Sequence, residues 1–298
     1  MDKKYEAEYY FRRGNDLLDL GQLDQAIYEY NKSLNIYPLV PETFHNLGLA
    51  YFLKGELNKA IIYYTEAIKL NIIYSDPYHS RGLAYYYCKK FEEAISDYSL
   101  ALQINPVHVE VYINRGNAYR HTQKYEEAIS DYNIALRFNP LLAIAYYNKG
   151  LIYVDKKEYE QAFIEYSKAI EINPNFAEAY NHRGIAYKKL NHYEKAIADY
   201  TKAIEINPNY ADAFHCRGIA FDDQGKYDEA LSDYDHAISI NEEYYRSYYN
   251  KAMIYEKLGR IIDAAEAYSK FIKYAPDSYY PYLQEAKVKL SELLKYTS

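Results

Sequence analysis

The sequence predicts an all-α protein, a solenoid made by stacking one helix-turn-helix unit. Three observations predict it. The chain resembles itself every 34 residues: YEQAFIEYSKAIEINPNF at Tyr159–Phe176 returns as YEKAIADYTKAIEINPNY at Tyr193–Tyr210. Aromatic and small residues recur inside each period at helical spacing. Tyrosine occurs 42 times and tryptophan not at all, the excess expected when one slot is filled many times over.

Repeat starts at Ala7, Pro41, Ser75, Val109, Ala143, Ala177, Ala211 and Tyr245 divide residues 7–278 into eight units without insertion, after a lead-in over residues 1–6. In the first helix the fourth position is aromatic, from Tyr10 to Tyr248. The eighth is Gly14, Gly48, Gly82, Gly116, Gly150, Gly184, Gly218 or Ala252, and the eleventh is aromatic except at Leu17. Steps of four and then three put these on one face, and the small residue between two rings admits a second helix closely. A turn follows at position fifteen. Gly21, Gly55, Asn191, Gly225 and Gly259 suit a left-handed helix end, whereas Lys89, Gln123 and Lys157 suit it less. The second helix carries alanine at position twenty in all eight copies (Ala26 to Ala264) and tyrosine at twenty-four in all eight (Tyr30 to Tyr268). Position twenty-seven is small except at Phe271, and a proline stops the helix in six copies, beginning with Pro38. The recurring rings are therefore read as core. Residues 279–298 read as a C-terminal capping helix, with an apolar stripe of Tyr282, Ala286, Leu290, Leu293 and Leu294 and lysines facing away. No catalytic domain is expected after it.

Positions seven and twenty-three vary together. Where the first is basic, as in Arg13/Glu29, Arg81/Asp97, Arg115/Asp131, Lys149/Glu165, Arg183/Asp199 and Arg217/Asp233, the second is acidic; only Lys251/Ala267 departs. Where the first is Leu47, the second is Tyr63. The two side chains are expected to meet between helices. As an exposed pair each would contribute only about 0–1 kcal/mol.

These positions resemble the tetratricopeptide repeat, with Tyr or Phe at the fourth position where that family usually has Trp, and mostly Arg at the seventh in place of Leu. The resemblance implies a right-handed superhelix whose first helices line a concave groove. It also implies a non-enzymatic scaffold that binds an extended or helical segment of a partner protein there. Carried over position by position, the groove face is read at positions two, five, six, nine, twelve and thirteen. Position six holds Asn46, Asn114, Asn148 and Asn250, and in some members an asparagine ladder here grips a peptide backbone, since one amide both donates and accepts. Apolar groove residues concentrate in repeats two and three, around Leu49, Phe52, Leu83 and Tyr86. They read as anchor pockets, or in part as packing between repeats. The expected binding residues are Asn46, Leu49, Phe52, Leu83, Tyr86, Asn114, Asn117, Asn148 and Leu151, with charge selection toward the C-terminal repeats. The carboxylate clamp of chaperone adaptors is not expected. Asn117 and Asn148 fit it, but Ile113, Glu178 and His182 stand where it needs cationic side chains. Self-assembly through the ends or a tyrosine-rich outer face is the alternative.

Composition narrows the function further. A formal charge of −7 argues against nucleic acid. Two distant cysteines, Cys88 and Cys216, form no disulfide framework or CxxC motif and suggest a reducing compartment. A charged N-terminus is not a signal peptide, and no apolar run is long enough to span a bilayer. The expectation is a soluble cytoplasmic protein. No phosphate-binding loop, HExxH or GxSxG occurs. The scattered histidines have no cysteine or aspartate partners at ligand spacing, so no metal, cofactor or enzymatic activity is expected.

Overall fold

One amphipathic helix pair cannot bury its apolar stripe alone, so the fold follows from how successive pairs stack. The computed structural model describes residues 3–295, so the first two residues of the lead-in and the last three of the expected cap lie outside the described residues. Among the described residues all regular structure is helical. The chain divides at Asn148/Lys149 into two compact units. The first holds α1 (Lys3–Asp19), α2 (Leu23–Ile36), α3 (Pro41–Leu53), α4 (Leu57–Leu70), α5 (Ser75–Tyr87), α6 (Phe91–Ile104), α7 (Val109–His121) and α8 (Tyr125–Phe138). The division falls inside α9 (Ala143–Asp155). The second unit continues with α10 (Tyr159–Ile172), α11 (Ala177–Lys189), α12 (Tyr193–Ile206), α13 (Ala211–Asp223), α14 (Tyr227–Ile240), α15 (Tyr245–Lys257) and α16 (Ile261–Tyr274). A 3₁₀ turn (Asp277–Tyr279) and α17 (Tyr280–Leu294) follow. Lys3–Glu6, read as lead-in, are the opening turn of α1.

The turn inside each pair takes one conformation whatever residue occupies it. Lys89, Gln123, Lys157 and Asn191 have φ of 59–62°, and Gly21, Gly55, Gly225 and Gly259 have 70–77°. The Lys90 N–H bonds the Tyr85 carbonyl (2.9 Å) and the Lys89 N–H bonds that of Tyr86 (2.9 Å), the Schellman closure of a helix end. The stacking geometry imposes the left-handed residue, and four copies meet it without glycine.

Each helix pair has its position-twenty-four tyrosine at its core. Seven of the eight, Tyr30 to Tyr234, are 0% exposed, and Tyr268 is 1% exposed. Each ring in repeats one to seven lies on the glycine at position eight: a methyl group there would come within 2.4–2.8 Å of it. Within each unit successive first helices touch (α1–α3, α3–α5, α5–α7; α11–α13, α13–α15), whereas no two successive second helices pack to a comparable extent. The first helices therefore line the tighter side of each unit.

The position-seven pairs form, and apart from Arg13, whose side chain is largely exposed, they are mostly buried. Arg81, Arg115, Arg183 and Arg217 each grip their aspartate with Nε and Nη2 at 2.7–2.8 Å. The arginine side chains are 16–19% exposed and the aspartates 4–9%. The rings at positions four and eleven flank each guanidinium. Arg115 lies 5.7 Å from both the Tyr112 and the Tyr119 centroid. The third donor crosses to the preceding repeat, reaching Thr65, Ser99, Ser167 and Thr201 at 2.9–3.2 Å. Burial pushes the Asp97 and Asp131 carboxyls up, ahead of the lowering by their arginines. A pair so desolvated sets register more than it adds stability. The one mismatched copy is resolved the same way across the boundary: Lys251 pairs with Asp235 of repeat seven.

The end of the chain differs from its expected stripe. Leu283 and Ala286 are buried with Leu290 and Leu293 packed beside them, while Tyr282 and Leu294 are half-exposed. Lys289 does not face away but bonds Glu256 at 3.0 Å. Tyr282 turns instead to the Tyr249 ring, 5.5 Å away.

Candidate interaction face

The first-helix side of the first unit is built from positions five, six, nine and twelve, and hydrogen bonds between repeats organise it. Position five of one repeat reaches position six of the next: His45 Nε2 lies 3.0 Å from Ser80 Oγ, and His79 Nε2 lies 3.0 Å from Asn114 Nδ2. Burial pushes His45 and His79 below the ordinary histidine range, so both are neutral and each can accept through one ring nitrogen. Where position nine is asparagine it collects two donors. Asn15 Oδ1 accepts from Tyr30 Oη (2.8 Å) and Asn46 Nδ2 (2.9 Å). Asn117 Oδ1 accepts from Tyr132 Oη (2.7 Å) and Asn148 Nδ2 (2.9 Å). Where position nine is Leu83, the buried Tyr98 hydroxyl beneath it has no partner among the described residues.

The expected asparagine ladder is thus engaged within the protein. Asn46, Asn114 and Asn148 each commit the amide nitrogen to the repeat before, and Asn117 is the acceptor for one of them. Sequence reasoning missed this because donor and acceptor lie 31 or 35 residues apart. The signal was the coincidence of asparagine at nine with asparagine at six one repeat later, as at Asn15/Asn46 and Asn117/Asn148.

The apolar residues are arranged differently. Leu49, Phe52, Leu83 and Tyr86 are half-buried on α3 and α5, and the flanking Leu53 and Tyr87 are exposed. The Phe52 and Tyr87 rings meet across the two helices at 5.7 Å. Tyr86 meets Phe91 at 5.4 Å and His121 at 5.5 Å, and Phe91 stacks on His121 at 4.5 Å. Repeats two to four thus share one open aromatic wall. Leu151 lies beyond the division, half-buried on α9. No group of three or more metal-ligating side chains occurs among the described residues, and no described helix is long and apolar enough to cross a membrane. Burial pushes the Cys216 thiol up to about 12.

Comparison with known proteins agrees with the period. Models described as tetratricopeptide or TPR repeats match residues 14–55, 41–71, 82–123, 116–156, 150–191, 177–210, 199–232 and 216–281. No curated protein matches the chain. Among solved structures it is similar to a tetratricopeptide repeat protein from Parabacteroides merdae (TM-score 0.67, 24% identity, covering 84% of this chain and 96% of that one). It is also similar to a chain of the APC/C hetero-tetramer Cut9–Hcn1 (TM-score 0.64, 16% identity, covering 89% and 52%). Both likenesses concern the fold. By these matches, with its helix pairs, left-handed turns and glycine–tyrosine contacts, the chain belongs to the tetratricopeptide repeat family.

Proposed function

We propose that the protein is a non-enzymatic interaction scaffold, and that the first-helix side of its first unit holds an extended or helical segment of a partner protein. The observation that carries this is the aromatic wall. Leu49, Phe52, Leu83 and Tyr86 lie on adjacent helices with Leu53 and Tyr87 exposed beside them, an apolar patch on a side the stacking leaves open. In this reading the apolar side chains supply affinity. Asn46, Asn114, Asn117 and Asn148 hold successive helices in register beneath them, and their spare oxygen and N–H orient a peptide. Leu151 belongs to the corresponding position of the second unit.

The test uses 12-residue peptides selected from a random library on the whole protein. Leu83→Lys is expected to weaken the selected peptides at least about tenfold, the scale of losing one well-buried apolar contact. A photo-reactive side chain at Tyr87 is expected to cross-link them, and one at Ile62, exposed on α4, is not. Undiminished binding to Leu83→Lys, or equal cross-linking from Ile62, refutes the assignment.

A second reading, self-assembly, has one observation in its favour. Position thirty-three in the first unit is Leu39, Ile73, Val107 and Leu141, four largely exposed side chains along the inter-repeat loops. In the second unit it is Asn175, Asn209, Glu243 and Asp277. Sedimentation at low micromolar concentration decides it: a strict monomer removes this reading.

A further inference from the structure

The second unit contains a pocket of about 240 Å³ lined by His215, Ile219, Arg246, Tyr249, Asn250, Phe271, Tyr279 and Tyr282. His215 and Ile219 come from α13, and Arg246, Tyr249 and Asn250 from α15. Phe271 comes from α16, and Tyr279 and Tyr282 from the 3₁₀ turn and α17. Position two is acidic in six of the eight repeats; in repeat eight it is Arg246.

Arg246 is unlike the other arginines of its unit. Arg183, Arg217 and Arg260 each rest on a carboxylate. Among the described residues Arg246 has no carboxylate within ion-pair distance. Its partners are phenolic: Nε donates to Tyr279 Oη at 3.1 Å, and the guanidinium lies 5.8 Å and 5.9 Å from the Tyr245 and Tyr279 centroids. The rings are themselves fixed. Tyr245 meets Tyr279 at 4.9 Å, Tyr249 meets Phe271 at 4.9 Å, and Tyr279 meets Tyr282 at 5.9 Å. This is a preformed aromatic box around one exposed guanidinium.

From this we infer that the Arg246 pocket takes an acidic side chain, Asp or Glu, of a bound peptide. The inference rests on the reading of the first-helix side as peptide-binding and names one chemical requirement of the peptide. A planar carboxylate suits a guanidinium through two parallel hydrogen bonds, and Asn250 offers a further donor. Ile219, Phe271 and Tyr249 enclose the methylenes of the same side chain. Charge balance favours a monoanion. His215, bonded to Ser247 at 3.0 Å, is neutral because burial depresses it, so Arg246 is the one cation of the lining. Asp212 accepts from Tyr244 nearby, and Glu285 acts on Tyr249. A phosphate dianion would face these carboxylates with a single positive charge to offset them.

The experiment follows the Arg246 Nε–H resonance of the full-length protein by ¹H–¹⁵N NMR, assigned from its loss in Arg246→Lys. Acetyl-Leu-Glu-Leu-amide is expected to shift it saturably, with a dissociation constant of about 1 mM or tighter. Acetyl-Leu-Gln-Leu-amide is expected to leave it in place, and Arg246→Gln to abolish the shift of the Asn250 side-chain amide. No shift with the glutamyl peptide, or an equal one with the glutaminyl peptide, overturns the inference. Tighter binding of acetyl-Leu-Leu with a free C-terminus, or of phenyl phosphate, overturns it in favour of a terminal carboxylate or a phosphate. Leu83→Lys lies in the other unit and is expected to leave this readout unchanged, so failure of the aromatic wall and failure of this pocket are told apart.

Discussion

Repeat two shows how to remove the buried ion pair of repeat four. There Leu47, fully buried, replaces the arginine, and Tyr63 replaces the aspartate, its ring stacked on Tyr51 at 5.2 Å and 5°. The perturbation is to install this solution as Arg115→Leu with Asp131→Tyr, alone and together. Arg115→Leu removes both donors from a carboxylate only 4% exposed. An uncompensated buried charge costs about 3–5 kcal/mol. Asp131→Tyr strands a guanidinium that is 17% exposed and still bonded to Ser99 at 3.0 Å, so its cost is nearer that of a charged hydrogen bond, about 1.5–3 kcal/mol. In the double variant Tyr119 offers the ring that Tyr51 offers in repeat two, and Ser99 keeps its bond to the Ile95 carbonyl (2.7 Å). The double is expected within about 1 kcal/mol of wild type, since replacing a buried pair by apolar groups is often neutral. The coupling energy is then at least about 3 kcal/mol. Urea unfolding followed by far-UV circular dichroism measures it, the chain having no tryptophan. Additive single effects, or a double variant as unstable as Arg115→Leu, refute the argument that these residues act as one buried unit.

Two further outcomes are expected. Lys89→Gly, Gln123→Gly and Lys157→Gly should each stabilise by roughly 0.5–1 kcal/mol, because a side chain in the left-handed region costs about 1–2 kcal/mol and glycine's extra unfolded freedom offsets part of that; a lowered urea midpoint counts against it. Acid should weaken the second unit through His215. Burial holds it down to about 4, with Arg246 adding to the shift, so the unfolded chain takes up the proton first. The stability is present above about pH 6.5 and lost as pH falls toward 4, up to about 3 kcal/mol in all. His215→Gln should flatten that part of the pH profile, and an unchanged profile refutes it.

The helical period was legible because the spacing of four, eight and eleven, and of twenty, twenty-four and twenty-seven, is itself the geometry of a buried face. Close approach of a second helix at Gly116 could be read from the small residue between two rings, whereas Tyr132 as the ring that meets it could not. The meeting of positions seven and twenty-three was legible from their shared variation, but its burial was not. The third bond of Arg115, to Ser99, reaches into the preceding repeat and exists only once two repeats are stacked. The engagement of Asn46 and Asn148 was hidden for the same reason: each partner lies in the neighbouring repeat, and a residue judged within its own period looks free. The Arg246 pocket needs Tyr279 and Tyr282 from beyond the last repeat, and no period of the sequence aligns them with α13 and α15.

The hydrogen bond from each of Arg81, Arg115, Arg183 and Arg217 to the hydroxyl of the repeat before it also constrains how such a chain can grow. Arg81 follows Thr65, Arg115 follows Ser99, and Lys251 follows Asp235. A duplication or loss that keeps a hydroxyl ahead of every arginine leaves each junction intact: excising residues 75–108 would set Arg115 behind Thr65. Placing Arg217 behind Asp235 would instead add a second carboxylate to a seat built for one. The copies are therefore words with a grammar, and their permitted order is written at the seams between them.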